Sequence, residues 1–134
     1  MNSTEILIRS YYDRFNARDV DGFLDLLSED VAHDINQGGR ETGKPAFRAF
    51  LERMNRSYDE QIVDIAVMVN GDGTRAAAEF TVLGKYLKTD EGLPPASGQP
   101  YRLPAGAFFD VKDGKVTRIT NYYNLEDWLK QVRA

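Results

Sequence analysis

The 134-residue sequence contains no cysteine, one histidine and no long apolar segment. Without cysteine the chain has no disulfide and no thiolate to act as a nucleophile or ligand. One histidine leaves too few imidazole or sulfur ligands for a transition-metal site, so we predict no metal and no cofactor. Because no run of about 18 apolar residues occurs, we also predict no membrane partner.

The chain also lacks an excess of positive charge, since 17 basic residues face 21 acidic ones and the net charge is −4. A diffuse acidic balance does not match the phosphate backbone of nucleic acids, and we predict no nucleic-acid partner. The first residues have neither the basic region nor the apolar core of a signal peptide, so we expect a cytoplasmic location.

Hydrophobic residues make up 42% of the chain, which predicts one folded domain over residues 1–134. Apolar residues at helical spacing predict three helices within the first 57 residues, with a short strand at residues 31–37 before the third. The third helix is expected to begin near Lys44 and Pro45. The three apolar stripes are Leu7, Ile8, Tyr11, Tyr12 and Phe15; Val20, Phe23, Leu24 and Leu27; and Phe47, Phe50, Leu51 and Met54.

The rest of the chain has the pattern of a sheet, with strands predicted at residues 62–69, 75–88, 101–111 and 115–123. Residues 70–73 and 113–114 carry hairpin signals, and a last helix follows Asn124. This order predicts an α+β fold, in which a curved, mixed but mostly antiparallel sheet wraps around the N-terminal helices and encloses an interior pocket. The Pro- and Gly-rich segment 89–100 is either a functional lid or a rigid connection that covers a sheet edge.

Three short stretches resemble one family. Residues 11–22 place a tyrosine before an Asn-Ala-x-Asp-x-Asp-Gly turn; residues 31–34 (VAHD) precede Arg-x-x-Gly at 40–43; and residues 120–128 read TNYYNLEDW. Along nearly the whole chain this pattern resembles the ketosteroid-isomerase-like, SnoaL-like branch of the nuclear transport factor 2-like superfamily. The resemblance implies a cone-shaped, cystatin-like fold with an interior pocket.

The resemblance implies two catalytic residues. Asp34 matches the family's general base, and Tyr11 matches the tyrosine that donates a hydrogen bond to the developing enolate oxygen. Gly106 stands where the family has a second donor, a neutral aspartic acid, and one such donor is worth about 3 kcal/mol. If Ala32, Asp34 and Asn36 face the pocket, desolvation raises the pKa of Asp34. The alternative is a strand-end carboxylate bonded to loop amides.

Tyr11 and Asn121 each have two interpretations. Tyr11 is alternatively a core residue whose hydroxyl bonds to backbone. Asn121 either replaces the missing donor or only positions Asp34 or backbone. His33, which alternation places on the face opposite Asp34, is predicted to be solvated or at an interface. The predicted ligand contacts are Asn36, Phe50, Met54, Phe80, Phe108, Ile119, Asn121 and Tyr123.

Three functions remain open at this point. The first is a cofactor-independent, isomerase-type enzyme that uses Asp34 to move a proton on a small apolar ketone, steroid-like or polyketide-like. The second is a non-catalytic module that binds an apolar small molecule, and the third is a hydratase or cyclase on the same scaffold. By analogy with related proteins we also predict a homodimer through the outer face of the sheet, with Tyr122, Val116 and the strand carrying Phe80 contributing.

Overall fold

The computed structural model describes residues 2–36 and 38–133. Helices and strands follow each other in an order that explains the α+β class. They are α1 (Ser3–Asn16), α2 (Val20–Leu24), β1 (Leu27–Asp34), β2 (Arg40–Thr42), α3 (Lys44–Ser57), β3 (Tyr58–Val69), β4 (Arg75–Tyr86), β5 (Gln99–Lys112), β6 (Lys115–Tyr123) and α4 (Leu125–Arg133).

The six strands found in residues 2–36 and 38–133 form one sheet in the order β2-β1-β6-β5-β4-β3. All neighbouring pairs are antiparallel except β1 and β6, which are parallel. Helix α3 contacts both β1 and β3, although three strands separate them in the sheet. One helix can reach both strands only if the sheet curls around it. The predicted α+β class and the predicted curved, mostly antiparallel sheet are therefore confirmed.

Alternation along the strands separates an inner face from an outer face. On β4 the inner positions are Ala76, Ala78, Phe80, Val82, Gly84 and Tyr86, all buried, whereas the residues between them are more exposed. On β5 the buried alternate positions run from Tyr101 to Val111. Successive side chains of a strand point to opposite faces, so the core lies on the concave side, under the helices.

Side-chain caps explain where the helices start. The Asn2 side chain accepts a hydrogen bond from the Glu5 backbone N–H at 2.7 Å, and Asp19 accepts one from Gly22 at 3.0 Å. Asn124 does the same for Asp127 at 3.0 Å. These bonds satisfy backbone donors that have no partner inside the helix.

β4 ends at Tyr86 and β5 runs from Gln99 to Lys112, each within two residues of the predicted bounds, and the larger differences from the prediction lie in β1, β2 and β3. β1 begins at Leu27, which was expected on the second helix, and pairs there with Val116 of the parallel strand β6. The predicted end of this strand at Gln37 lies outside the described residues. β3 begins at Tyr58 rather than Ile62, directly after α3, and the short β2 was not predicted. The ends of these strands are set by pairing with neighbouring strands, and local sequence propensity does not predict that pairing.

Hydrogen bonds tie the irregular segment between β4 and β5 to the sheet. The Tyr86 hydroxyl donates to the Pro94 carbonyl at 2.7 Å and accepts from the Asp90 N–H at 3.0 Å. The Thr89 hydroxyl accepts from the Ala96 N–H at 2.9 Å. Backbone groups satisfied in this way favour the rigid connection over the lid.

Candidate functional site

An interior cavity of about 350 Å³ lies between the concave face of the sheet and helices α1, α3 and α4. This volume is near the lower end of the range typical of small-molecule sites. Most of its wall is apolar, and aromatic rings dominate it. The rings that carry no polar atom come from α1, α2, α3 and β4 and belong to Phe15, Phe23, Phe47, Phe50 and Phe80.

Most of the side chains predicted to contact a ligand lie at this cavity. Helix α1 contributes Tyr11, and α3 contributes two of the predicted apolar contacts. The chain after β1 and the end of β6 supply three polar contacts. The predicted residues that line the cavity are Tyr11, Asn36, Phe50, Met54, Phe80, Asn121 and Tyr123. Their functional roles stay predictions.

Asp34 lies on the outer face of the sheet, so the prediction of a pocket-facing base with a raised pKa is wrong. Arg40 donates to both carboxylate oxygens, at 2.6 and 3.1 Å, and the Thr120 hydroxyl donates at 2.6 Å. The Arg40 and Thr120 hydrogen bonds lower the pKa of Asp34 to about 2. The inner face of β1 is instead the one that carries the fully buried Val31 and His33.

His33 is a cavity residue, and the predicted solvated or interface histidine is wrong. Its side chain is 1% exposed. The ring stacks on Phe47 with centroids 4.2 Å apart and meets the edge of Phe50 at 4.6 Å. Burial lowers the pKa of His33 to about 4, although the Asp34 charge acts in the opposite direction. The imidazole is therefore neutral at neutral pH.

Asn121 pairs with His33 rather than with Asp34. Its amide nitrogen lies 3.3 Å from the imidazole Nε2. A neutral imidazole has one donor and one acceptor nitrogen, so an amide that donates to Nε2 keeps the ring proton on Nδ1. This pairing fixes the orientation of the one histidine in the cavity wall.

Two further predicted contacts are not part of the cavity wall. Phe108 is 47% exposed on the outer face, where its ring meets that of Tyr122 edge to face at 5.8 Å. Ile119 is fully buried in the core outside the cavity. Gly106 lies at the cavity through its backbone, but alternation puts any side chain at this position on the outer face with Phe108. An acid at position 106 would thus not point into the cavity.

Glu60 is a cavity carboxylate that the sequence pattern did not single out. It lies on β3 between Tyr58 and Ile62, which are buried and also line the cavity. The Tyr101 hydroxyl donates a hydrogen bond to Glu60 Oε2 at 2.5 Å. Desolvation raises the pKa of Glu60 above its ordinary value, and the Tyr101 hydrogen bond and the Arg18 charge oppose this rise. The alternation Tyr58-x-Glu60-x-Ile62 is a sequence signal that could have placed Glu60 inside.

A second polar group in the wall joins α3 to the segment after β4. The Tyr58 hydroxyl donates to Asp90 Oδ2 at 2.9 Å, and Arg53 Nε lies 3.8 Å from Asp90 Oδ1. Leu93, from the same segment, adds an apolar contact. The connection between β4 and β5 therefore forms part of the cavity wall.

Several buried polar atoms of cavity residues have no hydrogen-bond partner among the described residues. They are Tyr12 Oη, His33 Nδ1 and Asn36 Nδ2. Burial raises the pKa of both Tyr11 and Tyr12, which keeps their hydroxyls protonated as donors. A buried donor without an acceptor costs about 1–3 kcal/mol, so polar atoms of this kind beside a cavity are candidates for binding a ligand's oxygen.

The described part of the chain holds neither a metal-ligand cluster nor a membrane-spanning helix. Residues 2–36 and 38–133 contain no group of three His, Cys, Asp or Glu side chains placed to hold a metal ion. Within the same residues no helix is long and apolar enough to cross a membrane. The predicted absence of a cofactor stays a prediction.

Comparison with known proteins identifies relatives over almost the whole chain. The SnoaL-like domain family matches residues 8–119. A Pseudomonas putida protein described as a "putative polyketide cyclase" is 63% identical, with 98% of each chain covered and a TM-score of 0.95. A Xanthomonas campestris protein with the same description is 58% identical over 97% of this chain and 96% of that one, with a TM-score of 0.94.

A more distant structure shows the fold alone. It is a nuclear transport factor 2-like protein of unknown function from Burkholderia pseudomallei, 16% identical, with both chains fully covered and a TM-score of 0.84. None of the curated proteins matches this chain. The resemblance to the SnoaL-like branch and the predicted nuclear transport factor 2-like fold are confirmed.

Proposed function

Because the chain belongs to the SnoaL-like domain family, we propose that it is a cofactor-independent enzyme that transfers a proton on a small, largely apolar, polyketide-like carbonyl compound. The observation that carries this proposal is the Glu60 carboxylate in the wall of an aromatic-lined cavity. A carboxylate with a raised pKa in such a place is suited to acid–base work. The descriptions of the Pseudomonas and Xanthomonas relatives agree with a carbonyl substrate.

Glu60 is a better proton acceptor in this cavity than His33. A general base works best when its pKa approaches the working pH. Burial moves the pKa of Glu60 upward, towards neutrality, whereas it lowers the pKa of His33 to about 4. The imidazole Nε2 is also paired with Asn121. We therefore assign His33 to binding and Glu60 to proton transfer.

The proposed step balances without a co-reactant. Glu60 takes a proton from the carbon next to the substrate carbonyl, and the C–H electron pair moves into a C=C bond as the carbonyl electrons pass to oxygen. The hydroxyl of Tyr11 or Tyr12 donates a hydrogen bond to this enolate oxygen. If the substrate is a β,γ-unsaturated ketone, the resulting dienolate takes the proton back from Glu60 at its γ-carbon, which is isomerisation. Alternatively, the enolate carbon attacks a second carbonyl of the substrate and closes a ring, and the alkoxide oxygen formed there takes the proton from Glu60.

Exchange of carbon-bound hydrogen tests the shared first step without knowledge of the natural substrate. We would follow the loss of the α-proton signal of aryl ketones and aryl β-keto esters in D₂O by NMR, with wild type, Glu60→Gln and Asp34→Asn. Loss of the general base should slow enzyme-dependent exchange about 10²–10⁴-fold in Glu60→Gln. The matched control Asp34→Asn, on the outer face, should keep the wild-type rate.

Two results would contradict the proposal. Exchange that persists in Glu60→Gln but disappears in Asp34→Asn would identify Asp34, on the outer face, as the general base. Probes that bind without any exchange would identify a non-catalytic binding module instead. Binding is visible independently, because the signals of the one imidazole in the chain, that of His33, report on the cavity wall.

A further inference from the structure

Glu60, Gly84 and Tyr101 form one row across three adjacent strands. In the register of the sheet Glu60 is paired with Gly84 on β4, and Gly84 is paired with Tyr101 on β5. Both Gly84 and Tyr101 are buried on the inner face. The Tyr101 hydroxyl nevertheless bonds to Glu60, two strands away. The tyrosine side chain must therefore pass over the middle strand at position 84.

Only glycine leaves room for this crossing. A Cβ atom built on Gly84 would lie 2.2 Å from Tyr101 Cζ and 2.5 Å from its hydroxyl oxygen. Real Cβ contacts do not reach such distances, so any side chain at position 84 would displace the ring. Glycine weakens a strand interior, and its presence there commonly marks a close approach by another group.

The ring also has little freedom to move away. Tyr101 packs edge to face on Trp128 of α4, with centroids 6.0 Å apart, and it is almost fully buried. The ring is thus confined between the sheet at Gly84 and the helix at Trp128. Its hydroxyl is directed at Glu60 by packing rather than by a flexible side chain.

We infer that Gly84 and Tyr101 are positioning residues, which hold the Glu60 carboxylate in one orientation at the cavity and set its proton affinity through the Tyr101 hydroxyl. The inference rests on the proposed function for its catalytic meaning, but the coupling between the three residues can be measured without a substrate. Tyr101 touches Glu60 and acts through it.

The test is an NMR titration of the Glu60 side-chain carboxyl in ¹³C-glutamate-labelled protein, assigned by Glu60→Gln. A hydrogen bond to a carboxylate favours the charged form. Tyr101→Phe should therefore move the midpoint of the Glu60 titration upward by about one pH unit, the equivalent of a charged hydrogen bond. Gly84→Ala, which keeps the hydroxyl but displaces the ring, should move the midpoint in the same direction.

Matched controls and a double variant separate this coupling from general damage. Tyr122→Phe changes a residue that is 56% exposed and whose ring meets Phe108, and Gly71→Ala adds a Cβ where nothing lies within 4 Å. Both should leave the Glu60 midpoint unchanged. In the combined Tyr101→Phe and Gly84→Ala variant the midpoint should match that of Tyr101→Phe alone, because the hydroxyl that Gly84 positions is already gone.

The outcomes distinguish this inference from the proposed function. An unchanged midpoint in Tyr101→Phe would overturn the inference, even if Glu60→Gln abolished exchange. A displaced midpoint in both variants, together with no exchange by wild type, would support the positioning of Glu60 and refute only the catalytic role. If Gly84→Ala fails to fold, Tyr101→Phe alone decides between these results.

Discussion

Acidification from pH 7 to 4.5 should destabilise the protein through His33. The folded state lowers the pKa of His33 from 6.5 to about 4, so between these values the unfolded chain binds more protons. The contribution of the neutral imidazole to the free energy of unfolding is therefore fully present above pH 6.5, and it is lost as the pH falls towards 4. The two pKa values give a loss of about 2 kcal/mol between pH 7 and 4.5.

Urea unfolding at both pH values measures this loss, with His33→Gln as the reference. Other groups titrate in this range, and Glu60 changes stability in the opposite direction because its pKa is raised. They contribute equally to both proteins, so the wild-type loss should exceed that of His33→Gln by about 2 kcal/mol. Equal losses, or an imidazole that titrates near 6.5 in the folded protein by NMR, would refute the buried neutral histidine.

Three further predictions concern Glu60, Asp34 and the outer face. Glu60→Gln should stabilise the protein at pH 7, because a desolvated charge is removed. Urea unfolding should show this gain vanishing as the pH falls through the raised Glu60 pKa, and a loss of stability at pH 7 would contradict the prediction. Asp34→Asn should lower the free energy of unfolding at pH 7 by about 1 kcal/mol, which is less than the full pKa shift would give because solvent screens the 57% exposed Arg40. Thermal melts should show this loss disappearing as the pH falls from 3.8 towards 2. A loss that persists at pH 2 would indicate that packing, and not charge, is the cause. The predicted homodimer should appear in sedimentation velocity as twice the 15.2 kDa chain mass, with Phe108→Glu and Tyr122→Glu shifting it to monomer; a monomeric wild type would refute it.

Asp34 belongs to a polar network on the outer face of the sheet and not to the cavity wall. Asp34 is one member of a polar chain that continues through Thr120 and Arg118 to Asp110. These residues alternate with buried inward neighbours, which are His33, Phe109, Val111 and Ile119. Of the residues predicted for the dimer, Tyr122 is 56% exposed on this face, whereas Val116 is fully buried.

Local sequence was sufficient for most of the fold. Apolar spacing located the helices, turn residues located the hairpins, and Asn124 located the start of the last helix. Alternation along β1 also indicated which face points inward, because the apolar Val31 and Ile35 lie two residues before and after His33. The resemblance to a catalytic aspartate led to the opposite face, where Asp34 bonds to Arg40.

The site depended on cross-strand geometry that the sequence does not state. Glu60 and Tyr101 are 41 residues apart and meet only because their strands share β4 as a neighbour. Register determines which residue of β4 lies between them, and it sets Gly84 there. Likewise Asn36 reaches the cavity because the chain leaves β1 after Asp34, where strand alternation ends.

The most direct test of the account compares α-proton exchange of one probe ketone by Glu60→Gln and Asp34→Asn under identical conditions. Both changes replace a carboxylate by an amide of the same shape, and only Glu60 lies at the cavity. We predict that exchange falls at least 100-fold in Glu60→Gln and stays at the wild-type rate in Asp34→Asn, as expected for loss of a general base. Exchange that survives in Glu60→Gln would contradict the assignment of Glu60 as the proton acceptor.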